Sequence, residues 1–440
     1  MHIRSLATLP ALSEKAWLRL TLFTVFYWVQ GLPLGFSSIA LPAWLLAQGL
    51  TPMQVSGLTG VAGLPWAFKL FAGPLMDRFS VPAMGIRRPW VLGMQLMIAL
   101  SAASLLFIHD VDTELAILTA LCFALNSFAA AQDVAVDGMA VSLLRESERG
   151  RANALMAAGQ VIGISTMGST ATKALNSGGL PAAGLLLGAM ILAVSICTLL
   201  FRERPGEKLM PWTGGQAHPE APQLEANIVK IVGKIGRSLL LPMSLLLIGI
   251  EILNRTIAGM TIVWFPDLAI NRLGYLDTSW ADWFSILGAI AAVLGVFCGP
   301  LIDRLGLKRS LVAALILNAF VYFLLFLSFD KLANPSFGIF ALGLMQLALQ
   351  LMFVCLIAIF MTLCHAKVAA SQFAVYMALG NVGRQSGIFV YPICKDWFDL
   401  KGLFIVGALG YLLCAALLLT FREASHRLRL ERLFERDSSK

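Results

Sequence analysis

Twelve apolar runs, each long enough to cross a lipid bilayer, constrain this chain more than any other feature. A helix needs about 20 mostly apolar residues to span the hydrocarbon. The runs fall near 17–41, 53–76, 89–108, 115–141, 152–173, 181–201, 239–267, 279–302, 309–329, 336–363, 371–393 and 401–421. Within lipid, every backbone N–H and C=O must be satisfied inside the segment, so runs of this length are helices. Composition agrees. The chain is 58% hydrophobic and 13% charged, with a mean hydropathy of +0.79, whereas soluble domains carry about 25% charged residues. The expected fold is an all-α polytopic membrane protein.

A polar stretch at 202–238 splits the runs six and six. The expected organisation is a six-helix bundle over 1–201, a cytoplasmic linker over 202–238, a second bundle over 239–421 and a cytoplasmic tail over 422–440. Pro205, Pro211, Gly214, Gly215, Pro219 and Pro222 mark irregular chain. Beyond them Ile228, Ile231, Val232 and Ile235 recur at helical spacing among Lys230, Lys234 and Arg237. That pattern predicts a basic amphipathic helix on the membrane surface. Thr51-Pro52, Pro181 and Pro335-Ser336 read as starts of the second, sixth and tenth spans.

The two halves repeat one another. Gly73-Pro74-Leu75-Met76-Asp77-Arg78 returns as Gly299-Pro300-Leu301-Ile302-Asp303-Arg304, and basic residues trail both copies at Arg87, Arg88, Lys308 and Arg309. Leu41-Pro42-Ala43-Trp44-Leu45 parallels Phe265-Pro266-Asp267-Leu268, and Ala157-Ala158-Gly159-Gln160-Val161 parallels Ala378-Leu379-Gly380-Asn381-Val382. Such self-similarity predicts two pseudo-symmetric six-helix bundles with a cavity between them near the bilayer midplane.

Basic residues set the expected orientation. Of the 33 Lys and Arg, 25 fall in segments that face one side and 5 in loops that face the other. By the positive-inside rule both termini are cytoplasmic. The net charge of +8 therefore reflects topology rather than a nucleic-acid partner. The seven cysteines lie in or beside apolar runs without a Cys-x-x-Cys pair, and read as small hydrophobes. No cleavable leader pattern precedes the first span, so it is expected to be retained.

Ionisable residues inside spans cost about 2.5–3.5 kcal/mol each on insertion scales, so each needs a reason. Six stand out: Lys69, Asp133, Asp137, Glu251, Arg255 and Arg384. Counting about 1.5 Å per residue from the span ends puts Lys69 and Asp137 level, about 12 Å from the cytoplasmic end, as a candidate ion pair. Asp133 lies one turn deeper with no partner in view, and Gln30, Glu251 and Arg384 fall near its level. Asp133 and Asp137 share a helix face at i, i+4. Two carboxylates so placed in a low dielectric repel one another, and one shared proton relieves the repulsion. Glu251 and Arg255 can pair within their helix or line the cavity, and Arg384 has no acidic residue on its own span. Tyr27, Trp28 and Trp44 line a cavity or belong to the interfacial belt.

The Gly-x-x-x-Asp-Arg phrase and its echo resemble the loop signatures of the major facilitator superfamily. Within it, residues 30–160 resemble the AmpG-like muropeptide permease branch. The matching residues are Gly31-Leu32-Pro33-Leu34, Trp44, Lys69, Pro74 to Arg78, Gly85, Arg87-Arg88, Trp90, Gln132-Asp133-Val134-Ala135-Val136-Asp137 and Glu148-Arg149-Gly150. In span seven the branch shows a Lys and then an Asp; here Arg255 supplies the cation and Ala258 stands at the acid's position. The resemblance implies a proton-driven importer of the bacterial inner membrane that carries a muropeptide- or siderophore-like solute by alternating access; eukaryotic relatives move acetyl-CoA. It implies Asp133 and Asp137 as coupling or substrate carboxylates with Lys69 as their cationic neighbour in the cavity; depth within the spans adds Glu251 as a further proton-coupling candidate and Gln30, Arg255 and Arg384 as cavity residues. Gly73, Asp77, Arg78, Gly299, Asp303 and Arg304 would form the gating motif.

No enzyme is expected. His2, His109, His218, His365 and His426 lie in termini or loops, with no nucleophile-base or metal-ligand spacing inside a span. No cofactor or metal is called for. The expected partners are a small solute, protons and the bilayer, with the chain acting as a monomer. Direction is not written in the fold, so a proton-driven exporter of a small organic solute or siderophore stays open as the alternative.

Overall fold

The computed structural model describes residues 10–79, 81–217, 236–297, 302, 304–364 and 369–436. Helices dominate: α1 (Ala16–Ala47), α2 (52–78), α3 (Arg88–Ser104), α4 (Val111–Leu143), α5 (146–177), α6 (180–199), α7 (Pro242–Pro266), α8 (Asp277–Val296), α9 (Leu307–Leu327), α10 (Pro335–Thr362), α11 (Ala369–Trp397), α12 (Gly402–Leu419) and α13 (Glu423–Arg436). The amphipathic helix expected over 228–235, the motif residues Gly299 and Asp303, and His365 lie outside the described residues, as do the side chains of Asp77 and Arg78.

Nine stretches among the described residues are long and apolar enough to cross a membrane. One of them, Arg151–Leu199, is two arms. It breaks at Gly178 and Gly179, where Gly179 takes a φ of 65° that other residues resist, and Pro181 opens the second arm. α2 is interrupted: it stops at Gly63, restarts at Pro65 and tightens into a 3₁₀ turn over Lys69–Phe71. α11 carries Gln372, Asn381, Arg384, Gln385 and Lys395 and is the most polar of the set. With these, α1 to α12 are the twelve expected spans.

Helix starts follow from local chemistry. Thr51 and Gln54 form a reciprocal capping box: Gln54 N–H donates to Thr51 Oγ1 at 3.3 Å and Thr51 N–H donates to Gln54 Oε1 at 2.9 Å. Asn334 caps α10 by accepting from Ser336 and Phe337 N–H, with Pro335 at the first helical position. α1 contains a π-helical turn, Phe36–Ala40, just before Leu41-Pro42. α7 runs into a second one, Asp267–Arg272, just after Pro266. The repeat read from the Pro-containing phrases thus extends to backbone geometry, displaced by a few residues.

The chain divides into two compact units. The first holds Met1–Leu50, Val61–Leu224 and Asp277–Ser285; the second holds Thr51–Gly60, Glu225–Leu276 and Ile286–Lys440. In the first unit α1 packs along α5 and also against α4, and α3 packs on α4 and α6. The α1–α5 crossing is backbone against backbone. A Cβ on Gly31 would meet Gln160 O and Ile164 N, and one on Gly163 would meet Trp28 O and the Cα of Gly31. In the second unit α7 packs along α11 in the same way: Gly259 faces Arg384 O, Gly383 faces Ile252 O and Gly387 faces Thr256 O. Apolar side chains gain little by meeting each other in lipid, so close contact between small residues holds such helices together.

The first part of the stretch read as linker packs on the first unit. Leu12 and Ser13 N–H donate to Arg202 and Glu203 O at 2.9 and 3.0 Å. The fully buried Glu203 carboxylate accepts from the backbone N–H groups of Ile86, Arg87 and Arg88 at 3.2, 2.7 and 2.5 Å. These amides open α3 and have no partner inside the helix, so an anion there is favoured twice, by hydrogen bonding and by the helix dipole. The Arg88 guanidinium in turn donates to Leu199 O at 3.0 Å and Leu209 O at 2.8 Å. Arg19 ties Leu12 O and Ser13 O to the Glu148 carboxylate, each at 2.8 Å.

Two predictions follow from this packing. Gly163→Ala forces α1 and α5 apart and is expected to cost about 1–3 kcal/mol, read as a lower unfolding midpoint in detergent. Gly93→Ala, on a helix face with open space, is expected to be neutral or to stabilise by up to about 1 kcal/mol. The second concerns Glu207, whose carboxyl burial beside Glu203 pushes up to about 7, against the hydrogen bond it accepts from Arg204 N–H. A raised carboxyl favours the folded state fully only below its unfolded value. That contribution is lost as pH climbs toward about 7. Glu207→Gln keeps the acceptor and removes the titration. The stability of the variant relative to wild type should therefore rise across that window, measured as paired melting curves.

Candidate functional site

Three helices of the first unit converge on two carboxylates. α4 supplies Asp133 and Asp137, one turn apart. α1 supplies Tyr27 and Gln30, also nearly one turn apart. α2 supplies Lys69, which opens the 3₁₀ turn where that helix is interrupted. The Lys69 ammonium donates to Asp133 Oδ2 and forms an ion pair with it, while Gln30 Nε2 donates to Asp133 Oδ1. The Tyr27 hydroxyl donates to Asp137 Oδ1. The result is a two-rung ladder between α1 and α4, with the lysine attached to the upper rung. Asp133 is 2% exposed, while Tyr27 and Asp137 are only half-buried.

The lysine is held from behind. Its ammonium lies 5.8 Å from the centroid of the Trp66 ring, and Trp66 Nε1 donates to Asn126 Oδ1 at 2.9 Å. Asn126 Nδ2 donates to Cys122 O in the preceding turn of α4. Gly73 lies below, at the crossing of α2 and α4, where a Cβ would meet Val134 Cγ1 at 3.8 Å.

The pairing differs from the expectation. Counting along unbroken helices puts Lys69 level with Asp137 and gives Asp133 no partner. The lysine instead reaches Asp133, which is the doubly held carboxylate. Level counting assumes an unbroken helix, and the break at Gly63–Pro65 with the 3₁₀ turn at Lys69 invalidates it for α2. Tyr27, considered only as an aromatic, is the hydrogen-bond partner of Asp137. Its three-residue offset from Gln30, matching the four-residue offset of the two aspartates, is the signal that could have found it. Gln132, beside Asp133 and fully buried, has no hydrogen-bond partner for either amide atom among the described residues, and the same holds for Gln30 Oε1.

In the second unit the buried Glu251 pairs with Arg255 on its own helix: Arg255 Nε donates to Glu251 Oε1 at 2.7 Å. Asn254 Nδ2 approaches the other oxygen at 3.4 Å. The Arg255 guanidinium sits 4.6 Å from the centroid of the Phe353 ring, a desolvated cation–π contact. Of the two readings open for Glu251 and Arg255, the internal pair is the one formed. Glu251 also lies against Gly380 of α11, where a Cβ would come within 2.7 Å of its Oε1. Arg384, one turn further along α11, is half-buried and close enough to Arg255 for the two charges to act on one another. Arg304 is exposed. A further ionic site went unread in the sequence: the buried Asp267 accepts from Tyr391 OH, from Lys395 Nζ at 2.6 Å and from Asn271 Nδ2 at 2.8 Å.

Residues 23–392 match the model of the Major Facilitator Superfamily. The chain is similar to an anhydromuropeptide permease of Escherichia coli K12, 27% identical over 385 residues that cover 86% of this chain and 74% of the relative. It is also similar to an uncharacterised protein of Haemophilus influenzae, 34% identical over 128 residues, 29% of each chain. A third similarity is to an uncharacterised protein of Schizosaccharomyces pombe, 28% identical over 151 residues, 32% of this chain and 27% of the other.

Removing one partner of a buried ion pair strands the other, at a cost of about 3–5 kcal/mol. Lys69→Met is therefore expected to lower the yield of monodisperse protein and its melting temperature. The double change Lys69→Met with Asp133→Asn should recover most of the loss, measured as a double-mutant cycle in detergent.

Proposed function

The chain belongs to the major facilitator superfamily, and on that premise we propose that it is a proton-coupled secondary transporter that brings a muropeptide- or siderophore-like solute across the bacterial inner membrane by alternating access. The observation that carries this reading is the Lys69–Asp133 pair with Asp137 one turn away. The site places two carboxylates against one lysine inside a membrane bundle. The surplus negative charge is expensive in hydrocarbon. A bound proton removes it, and releasing that proton restores it, which is the chemistry that links a solute to a proton gradient.

Import is favoured by the similarity to an anhydromuropeptide permease. The chemistry of such a solute suits the first unit, where its hydroxyls and amides can donate to the buried Gln30 Oε1. The excess of Lys and Arg in alternate loops supports cytoplasmic termini. Asp77, Arg78 and Gly73, with Gly299, Asp303 and Arg304, would gate the cytoplasmic side.

The test is uptake by proteoliposomes under an imposed inward proton gradient, with labelled anhydromuropeptide and a ferric siderophore offered separately. Accumulation of one of them that an uncoupler abolishes is the expected result. No accumulation of either, with gradient-driven loss of the same compounds from preloaded vesicles, would replace the importer by an exporter.

A further inference from the structure

We propose that Asp137 is the carboxyl that takes up and releases the coupling proton, with Tyr27 as its positioning residue, while Asp133 stays ionised against Lys69 throughout. This assignment rests on the proton-coupled reading above and narrows it from a pair of carboxylates to one.

The argument lies in the hydrogen-bonding partners. Both oxygens of Asp133 are occupied by groups that only donate there: the Lys69 ammonium on Oδ2 and the Gln30 amide nitrogen on Oδ1. An ammonium and an amide N–H₂ have no lone pair to offer a carboxylic acid. A proton arriving on Asp133 would have to displace the lysine or turn the Gln30 amide over, and in either case it would strip a mostly buried lysine of its counter-ion, the costly half of breaking a buried pair. Asp133 is built for the ionised state alone.

Asp137 is built for both states. Its hydrogen-bond partner among the described residues is the Tyr27 hydroxyl, which is donor and acceptor at once. While Asp137 is ionised, the phenol donates to Oδ1. When the carboxyl holds a proton, that O–H can donate to the phenol oxygen, and the phenol hydrogen rotates away. One O–H bond forms on Asp137 and none breaks in the protein. Access agrees with chemistry: Asp137 and Tyr27 are half-buried where Asp133 is sealed.

The charged and titratable groups around Asp137 fit this division. Asp133 lies one turn away on the same helix, Tyr27 faces it from α1, and Lys69 faces the pair from α2, committed to Asp133. Arg87, from the segment that opens α3, packs its Nε at Gly138, on the neighbouring face of α4. With Lys69 neutralising Asp133, a proton on Asp137 brings the site to zero net charge, and its loss leaves a single negative charge.

The test is an infrared titration of the purified protein from about pH 4 to about pH 9, following the C=O stretch of a protonated carboxyl, with Glu207→Gln carried in wild type and in every variant because that carboxyl is also raised into the window. Wild type should show a titrating band. Asp137→Asn should lose it. The charge-neutral double variant Lys69→Met with Asp133→Asn, chosen because Asp133→Asn alone strands the lysine, should keep it. Tyr27→Phe removes a charge-assisted bond to the carboxylate and a weaker neutral bond to the carboxylic acid, so the midpoint should move by about 0.5–1 pH unit to the alkaline side, the difference between the two; a purely structural tyrosine would leave it in place. In vesicles, Asp137→Asn should lose uncoupler-sensitive accumulation of anhydromuropeptide. A band that survives Asp137→Asn, one that disappears in the double variant, or no titrating band in wild type overturns the assignment. The titration uses no solute, so its failure is separate from a failure of wild-type vesicles to accumulate anhydromuropeptide, which would overturn the transport reading instead.

Discussion

An ion among apolar helices has to be answered by another group within reach, and that requirement organises both units. It is met in two different ways. Glu251 and Arg255 answer each other one turn apart on a single helix, so the pair can form as soon as α7 is helical. Lys69 and Asp133 come from different helices, with Gln30 of a third completing the site. That arrangement exists only once α1, α2 and α4 are packed. The first kind of pair is a condition for inserting the helix; the second is a product of assembling the bundle. Asp267, held by Tyr391 and Lys395 of α11, belongs to the second kind.

The glycine crossings supply the rigidity such sites need. α1 is fixed against α5 along Gly31, Gly35, Gly159 and Gly163, with main chain on main chain. The side of α1 turned to α4 is then free to present Tyr27 and Gln30. Because main chain meets main chain at these glycines, the position of those two residues is set largely by backbone geometry. The corresponding crossing of α7 and α11 brings Glu251 against Gly380, so the same device fixes an ionic group in each unit.

Much of this was legible in the sequence because hydropathy and duplication are properties of long segments. Twelve runs and two copies of one phrase survive local error. The cost of charge in hydrocarbon pointed to six residues, of which Lys69 with Asp133 and Glu251 with Arg255 are paired. What could not be read was which of them meet. The Lys69 pairing turned on a helix interrupted at Gly63–Pro65, a few residues of local geometry that level counting averages away. The role of Glu203 was hidden for another reason. A glutamate followed by Arg204-Pro205 looks like solvated linker, and its partners are three main-chain amides that carry no sequence signature.

That glutamate bears on the order in which the molecule is made. The amides that open α3 leave the ribosome more than a hundred residues ahead of the carboxylate that satisfies them. Until synthesis passes Glu203, the start of α3 has no such acceptor, and the frame of α1 to α6 is unfastened at that end. Once it passes, the frame closes with a residue of its own half, before α7 is made, as suits domains that fold while the chain is still growing. The two halves of this protein are therefore joined after the clasp rather than at it. A chain divided for expression in two pieces should be cut beyond residue 217, so that the piece bearing α3 keeps the acid that finishes it.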